Sequence, residues 1–232
     1  MCGLRYGSGF EQTGFRSIVQ SSRLAASRLA CRRGDRLLFR GLDFELGAGQ
    51  IVWLRGPNGS GKTSLRRLLA GLSTPAEGAI TWGGTPLREA GAAWCRSLCY
   101  LAHANALKDD LSVLESLQFL ARLHGHGDGE AGCTEALRRV GLFSRRHAAV
   151  RTLSQGQRRR VALARLHLDA AAPVWILDEP YDALDAEGTA MLDAALSAHA
   201  KRGGSAVLTS HIDLTLADPA PTVLQLDAYR VQ

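Results

Sequence analysis

Gly56-Pro57-Asn58-Gly59-Ser60-Gly61-Lys62-Thr63 is the stretch that decides the fold. It fits G-x4-G-K-[ST], with the short apolar run Gln50 to Arg55 before it reading as a strand. A helical pattern follows from about Lys62 to Ala70, and Gly71 closes it. Strand, glycine-rich loop and helix in that order are the context in which such a loop cradles phosphate. The glycines permit backbone angles that turn successive N–H groups toward one anion. The helix N-terminus adds a partial positive charge. Gly56, Pro57, Asn58, Gly59, Ser60, Gly61, Lys62, Thr63 and Ser64 are therefore read as nucleotide-binding. Lys62 would reach the β- and γ-phosphates, and the Thr63 hydroxyl would ligate Mg²⁺, which prefers oxygen donors shared with phosphate.

Downstream, Val174-Trp175-Ile176-Leu177-Asp178-Glu179-Pro180 is an apolar strand that delivers two adjacent carboxylates at its C-terminal end. Ligands of α/β sheets bind at that end. Neighbouring carboxylates point differently and can divide the work. Asp178 is expected to hold Mg²⁺ largely through water, and Glu179 to polarise an attacking water as general base.

Around these two sites the chain alternates. Leu24 to Leu29, Leu37 to Leu46, Ala79 to Trp82, Leu98 to Ala102, Ser205 to Thr209 and Thr222 to Leu226 read as further strands. Helices are expected from Ser154 to about Asp169 and from Glu187 to Arg202. Strands alternating with helices predict an α/β fold with a mainly parallel core sheet. Ser112 and Glu115 form a capping box that opens a helix-rich block running to about Val150, which predicts a helical lobe inserted into the sheet domain.

The composition excludes several classes. The 232 residues carry 28 Lys+Arg against 22 Asp+Glu, a net charge of +6, and 46% hydrophobic residues, which is a soluble globular balance. The longest uncharged apolar stretch, Ala170 to Leu177, holds Pro173 and is far short of the ~20 residues that span a bilayer. Five cysteines, at positions 2, 31, 95, 99 and 133, are odd in number and lack zinc spacing, which fits a reduced compartment. Cys95 and Cys99 have the spacing of neighbours on one helix face. Nine of the arginines lie between Arg138 and Arg165 with no acid among them. The other 19 basic residues against 22 acids leave the rest of the chain at −3. The whole basic excess thus sits beside one loop, and no nucleic-acid partner is needed to explain it.

That loop is Leu153-Ser154-Gln155-Gly156-Gln157. The order of phosphate loop, LSxGQ with an arginine-rich helix, LDEP strand, Ala183-Leu184-Asp185 and late His211 resembles the ATPase subunit of ABC transporters from about residue 22 onward. The resemblance implies a P-loop NTPase domain over 22–232, with an antiparallel β subdomain and a helical subdomain at about 105–160. Residues 1–21 are then an extension expected to be disordered. It implies head-to-tail homodimers with ATP between the subunits, where Ser154, Gln155, Gly156 and Gln157 of one copy face the γ-phosphate held by the other. It gives Asp185 to the loop linking the two sites, His211 to the γ-phosphate and Glu179, and catalytic roles to Glu179, His211 and Lys62.

A closer resemblance is to the ATP-binding subunits of the cytochrome c biogenesis (haem exporter) system. It is carried by Trp53 to Gly71, Leu101-Ala102-His103, Leu107-Lys108, Leu153 to Leu166, Asp35-Arg36 with Leu38 to Leu42, and Val174 to Asp185. It implies ATP hydrolysis with Mg²⁺, coupled to an integral membrane permease and to other haem-delivery components, at the cytoplasmic face of a bacterial inner membrane. The work would energise release of a haem-loaded chaperone. Exporters of lipids or drugs, and soluble regulatory ABC proteins, share the broader pattern and are the alternatives. Three positions depart from it. The family's loop glutamine falls on Ala104, its adenine-stacking aromatic falls on Arg33, whose guanidinium can stack on a purine, and Gln155 replaces a glycine. His124 and His126 in a glycine-rich segment read as a solvated loop.

Overall fold

The computed structural model describes residues 24–123, 129–168, 172–214 and 216–231. The expected extension at 1–21 and the His124–His126 segment lie outside the described residues. Six helices are used below: α1 (Lys62–Leu69), α2 (Leu87–Ser97), α3 (Val113–Leu123), α4 (Gly129–Arg139), α5 (Gln155–Leu168) and α6 (Ala186–Lys201).

The parallel sheet has the order β6-β7-β8-β3-β9, from β3 (Ile51–Arg55), β6 (Leu98–Leu101), β7 (Val174–Leu177), β8 (Ser205–Thr209) and β9 (Thr222–Gln225). The inner strands β3, β7 and β8 are short and buried, as expected where both faces are covered, while the edge strand β9 is largely exposed. Alternation sorts their side chains between two cores. Val52, Leu54, Val174, Ile176 and Val207 pack toward α1 and the second sheet. Ile51, Trp53, Trp175, Leu177, Ala206 and Leu208 pack on the other face against Leu163, Leu166, Leu192 and Leu196 of α5 and α6.

The second sheet is antiparallel, in the order β2-β1-β4-β5, from β1 (Leu24–Arg33), β2 (Arg36–Leu46), β4 (Glu77–Trp82) and β5 (Thr85–Pro86). A third core joins α3 and α4 to one side of α5 through Val113, Leu117, Leu137, Val140, Val161 and Ala164. Parallel sheet, antiparallel sheet and helical lobe are the three parts that the sequence implied.

The helical block differs from expectation in detail. Helix α4 begins at Gly129, inside the glycine-rich run Gly125 to Gly132 that reads as a loop, and single 3₁₀ turns follow it at Phe143–Arg145 and Val150–Thr152. The capping box that opens it is formed, with Ser112 N–H donating to Glu115 Oε2 at 2.8 Å and Glu115 N–H to Ser112 Oγ at 3.3 Å. Helix α2 was not expected. It kinks at Gly91 (φ 42°, ψ −114°) and buries only Trp94, so it carries no apolar stripe. Cys95 lies on α2 and Cys99 on β6, so the two thiols do not share a helix face.

Candidate functional site

Parallel register brings four strand ends to one edge of the sheet. Leu54 pairs with Thr209, Leu177 with Leu208, and Leu101 with Leu177. The segments that leave β3, β6, β7 and β8 therefore emerge side by side, the arrangement in which open α/β sheets bind ligands. They enclose a cavity of about 450 Å³ lined by Asn58, Gly59, Gly61, Lys62, Thr63, Ser64 and Arg66 from the phosphate loop and α1. Asp178 and Glu179 line it after β7, His211 after β8, His103 after β6, and Arg33 and Leu38 from the antiparallel sheet.

The loop is shaped by its glycines. Gly61 sits at φ 103° immediately before α1, where a Cβ would meet the Phe39 ring at 3.1 Å. Gly56 sits at φ 150°, where a Cβ would meet Ser60 Oγ at 2.7 Å. No side chain caps α1, which leaves its first N–H groups facing the cavity. Lys62 Nζ donates to the Gly56 carbonyl at 2.6 Å and to that of Pro57 at 3.2 Å, so the ammonium lies across the loop. Three residues expected to bind nucleotide do not line the cavity. Ser60 is buried beneath Gly56, Gly56 packs against Ser60 and Leu226, and Pro57 faces a separate surface cavity.

The acid pair is held tightly. Glu179 takes φ 45°, a conformation that costs a non-glycine residue about 1–3 kcal/mol and clusters at functional sites. Its N–H donates to Thr209 Oγ1 at 3.0 Å, and the Thr209 hydroxyl donates to Asp178 Oδ1 at 3.2 Å. Glu179 Oε1 lies 3.5 Å from His211 Nε2, while its Oε2 is buried without a hydrogen-bond partner. Asp178 Oδ2 is 2.5 Å from Arg66 Nη1, and Arg66 Nη2 donates to Thr63 Oγ1 at 3.1 Å. The two oxygens expected to ligate Mg²⁺ thus already converge on one cationic group. Both belong to hard donors of the kind Mg²⁺ takes, so the residues fit that ion.

Arg33 lines the cavity mouth beside Leu38. Phe39, the nearest aromatic in sequence, is fully buried in the core against Gly61 and is not available to a base. In the segment after β6, the residue facing the cavity is His103, whose Nδ1 is 3.7 Å from Asp182 Oδ2, and not the exposed Ala104. Sequence reasoning overlooked His103 and Arg66. Nothing in their local spacing marks them, although an arginine between Leu65 and Leu68 on an apolar helix face is a signal in hindsight.

Ser154, Gln155, Gly156 and Gln157 lie outside this cavity, at the start of α5. Ser154 N–H donates to Gln157 Oε1 at 3.1 Å and Gln157 N–H to Ser154 Oγ at 3.2 Å, a capping box. Asp185 also lies outside. It caps α6 by accepting from Gly188 N–H at 2.9 Å, and it pairs with Arg160. Arg160 and that N–H hold the Asp185 carboxyl below its usual range.

The ABC transporter family pattern matches residues 39–182. The cytochrome c biogenesis ATP-binding export protein CcmA of Aromatoleum aromaticum is 48% identical over 209 residues, 90% of this chain and 97% of that protein. The protein of the same name from Pseudomonas putida is 53% identical over 188 residues, covering 81% and 89% of the two chains. Among solved structures, a bacterial Atm1-family ABC exporter with ATP bound superposes with a TM-score of 0.78 at 24% identity over 90% of this chain and 38% of that one, and a putative ABC transporter ATP-binding protein from Pyrococcus furiosus with 0.76 at 23% identity over 90% and 100%, which are likenesses of fold. The chain belongs to the ABC transporter ATP-binding family, among the cytochrome c biogenesis ATP-binding export proteins.

Proposed function

We propose that the protein is the ATP-hydrolysing subunit of an ABC complex in cytochrome c biogenesis and haem export. The observation that carries the hydrolytic reading is the company Glu179 keeps. Its carboxylate is nearly buried, 3.5 Å from His211 and beside the phosphate loop, with one oxygen lacking a hydrogen-bond partner. A carboxylate so placed can take a proton from water on the far side of a phosphoryl group. Lys62 and the open N–H groups of α1 would bind the β- and γ-phosphates and stabilise charge developing on them. His211 would orient that water and the γ-phosphate. Thr63 and Asp178 would hold Mg²⁺, which when bound neutralises phosphate charge.

Ser154 to Gln157 lie away from the cavity of their own chain, which supports a head-to-tail homodimer in which they close over the partner copy's nucleotide. Asp185 would link the two sites. The same reading takes 22–232 as one ATPase domain with its helical part at about 105–160. It joins the protein to a membrane permease and to other haem-delivery components at the cytoplasmic face of the inner membrane. No helix among the described residues is long and apolar enough to cross a membrane, so a separate permease would supply the spanning part.

Glu179→Gln tests the base. The variant is expected to bind ATP, to run as an ATP-dependent dimer on gel filtration, and to lose about a hundredfold or more of its turnover. Unchanged turnover would sink the assignment. In the host, Lys62→Ala is expected to abolish haem-stained c-type cytochromes. Normal cytochromes would remove the haem-export reading and leave the ATPase reading standing.

A further inference from the structure

Arg66 stands among Leu65, Leu68 and Leu69 on the core-facing side of α1 and is 2% exposed. A guanidinium in that position is retained only if its charge is matched. Its match is the acid site itself. Nη1 lies 2.5 Å from Asp178 Oδ2 and Nη2 donates to Thr63 Oγ1 at 3.1 Å. The other Asp178 oxygen accepts from Thr209 at 3.2 Å. Nε has no hydrogen-bond partner, and Nη1 meets the carboxylate as an ion pair without hydrogen-bond alignment. One fixed positive charge therefore touches both side chains that would receive a divalent cation.

We propose that Arg66 is a resident counter-cation of the metal site and sets how much divalent cation the site needs. The inference rests on the reading of Thr63 and Asp178 as the Mg²⁺ residues. Two physical effects act in the same direction. The guanidinium engages Asp178 Oδ2 and the Thr63 hydroxyl, so a metal must share or displace those bonds. Its charge, held nearby in a poorly solvated place, repels a second cation. In the metal-free protein the same contacts fix where the Asp178 carboxylate and the Thr63 hydroxyl point, so the residue positions the ligands while weakening the metal's hold on them. Metal entry is thereby tied to nucleotide, whose phosphates bring the negative charge that offsets two cations.

The test is Mn²⁺ binding to the full chain, read from the spectrum of free Mn²⁺ by electron paramagnetic resonance and from fluorescence of a labelled ATP analogue. Arg66→Leu matches the neighbouring core residues, and Arg66→Lys keeps the charge but bonds fewer oxygens at once. The Mn²⁺ concentration that half-saturates the nucleotide complex is expected to fall about tenfold in Arg66→Leu and by a smaller factor in Arg66→Lys. If Arg66→Leu does not fold, as judged by circular dichroism, Arg66→Lys carries the test alone. An unchanged half-saturation point in the folded variants, with a raised one in Asp178→Asn, overturns the role of Arg66 and leaves the metal residues standing. Nucleotide binding indifferent to Mn²⁺ in every protein, wild type included, overturns both.

Discussion

Glycine at position 156 is required for a reason that spacing alone does not reveal. A Cβ there would lie 2.6 Å from the Ala183 carbonyl, well inside contact distance, and Ala183 is itself held at φ 61°. The start of α5 and the segment carrying Asp185 therefore touch backbone to backbone, and both lie beyond the cavity of their own chain. Gly156→Ala should push the two segments apart without disturbing Lys62, Thr63 or Asp178. Binding of a fluorescent ATP analogue is expected to stay within about threefold of wild type, while steady-state hydrolysis falls about a hundredfold or more. A parallel loss of both would mean that Gly156 supports its own chain's site, against the head-to-tail reading. Glu179 shows the opposite case, a side chain accepted where glycine would be at ease. Its φ of 45° is secured from one side by Thr209 on its N–H and from the other by Arg159, whose Nη2 donates to its carbonyl at 2.6 Å.

Helix α5 is the element that ties the site together, and Arg159 is how it does so. This buried arginine donates to the carbonyls of Asp178 and Glu179 at 2.6 Å each and to Asn105 Oδ1 at 3.0 Å. One side chain thus joins α5, the end of β7 and the segment after β6. Arg159→Met would strip the Asp178 carbonyl of this donor and leave the Glu179 carbonyl with the Asp182 N–H alone, so the urea midpoint should drop by an amount worth about 1–3 kcal/mol. Arg159→Lys, which lacks the planar fork, is expected to recover only part of it. An unchanged midpoint would show that the segments hold their positions without it. Contacts of this kind explain what was legible in the sequence. The phosphate loop, the acid pair and the Ser112–Glu115 capping box are local patterns, set by residues within a few positions of one another, and each could be read directly. Arg66 and Arg159 act on Asp178 across long separations, so their partners emerged only when the strands were in register. Helix α2 stayed hidden because Gly91 breaks its period and Trp94 alone is buried. Beside the departure at Ala104, the neighbouring His103 supplies the side chain that faces the cavity, and no local pattern points to it.

Across the whole molecule, the basic excess between Arg138 and Arg165 is not one exposed patch. Arg159, Arg160 and Arg165 are buried, Arg158 pairs with Asp109 at 2.7 Å, Arg139 with Glu135 at 3.3 Å, and Arg138 and Arg146 cover the Phe143 ring. Much of that charge is spent inside the fold, and between pH 7 and pH 5 two histidines make stability depend on pH. His199 is buried, stacked on Trp175 at 3.8 Å between ring centroids, with Gly204 packed against it so closely that a Cβ there would fall 2.2 Å from the ring. Burial lowers its pKa from 6.5 to about 4. Burial does the same to His167, also to about 4, helped by the nearby charges of Arg139 and Arg202. Both rings are neutral in the folded state. Below pH 6.5 the unfolded chain takes up protons that the folded chain refuses. The stabilisation is therefore complete above that pH and drains away as pH falls toward 4. Between pH 7 and pH 5 the loss should be about 2 kcal/mol per histidine, readable as a falling urea midpoint. His199→Phe keeps the stack on Trp175 and removes the titration, so it should cut the pH dependence by about half whatever it does to stability at pH 7. A slope equal to that of wild type would take the acid sensitivity away from His199.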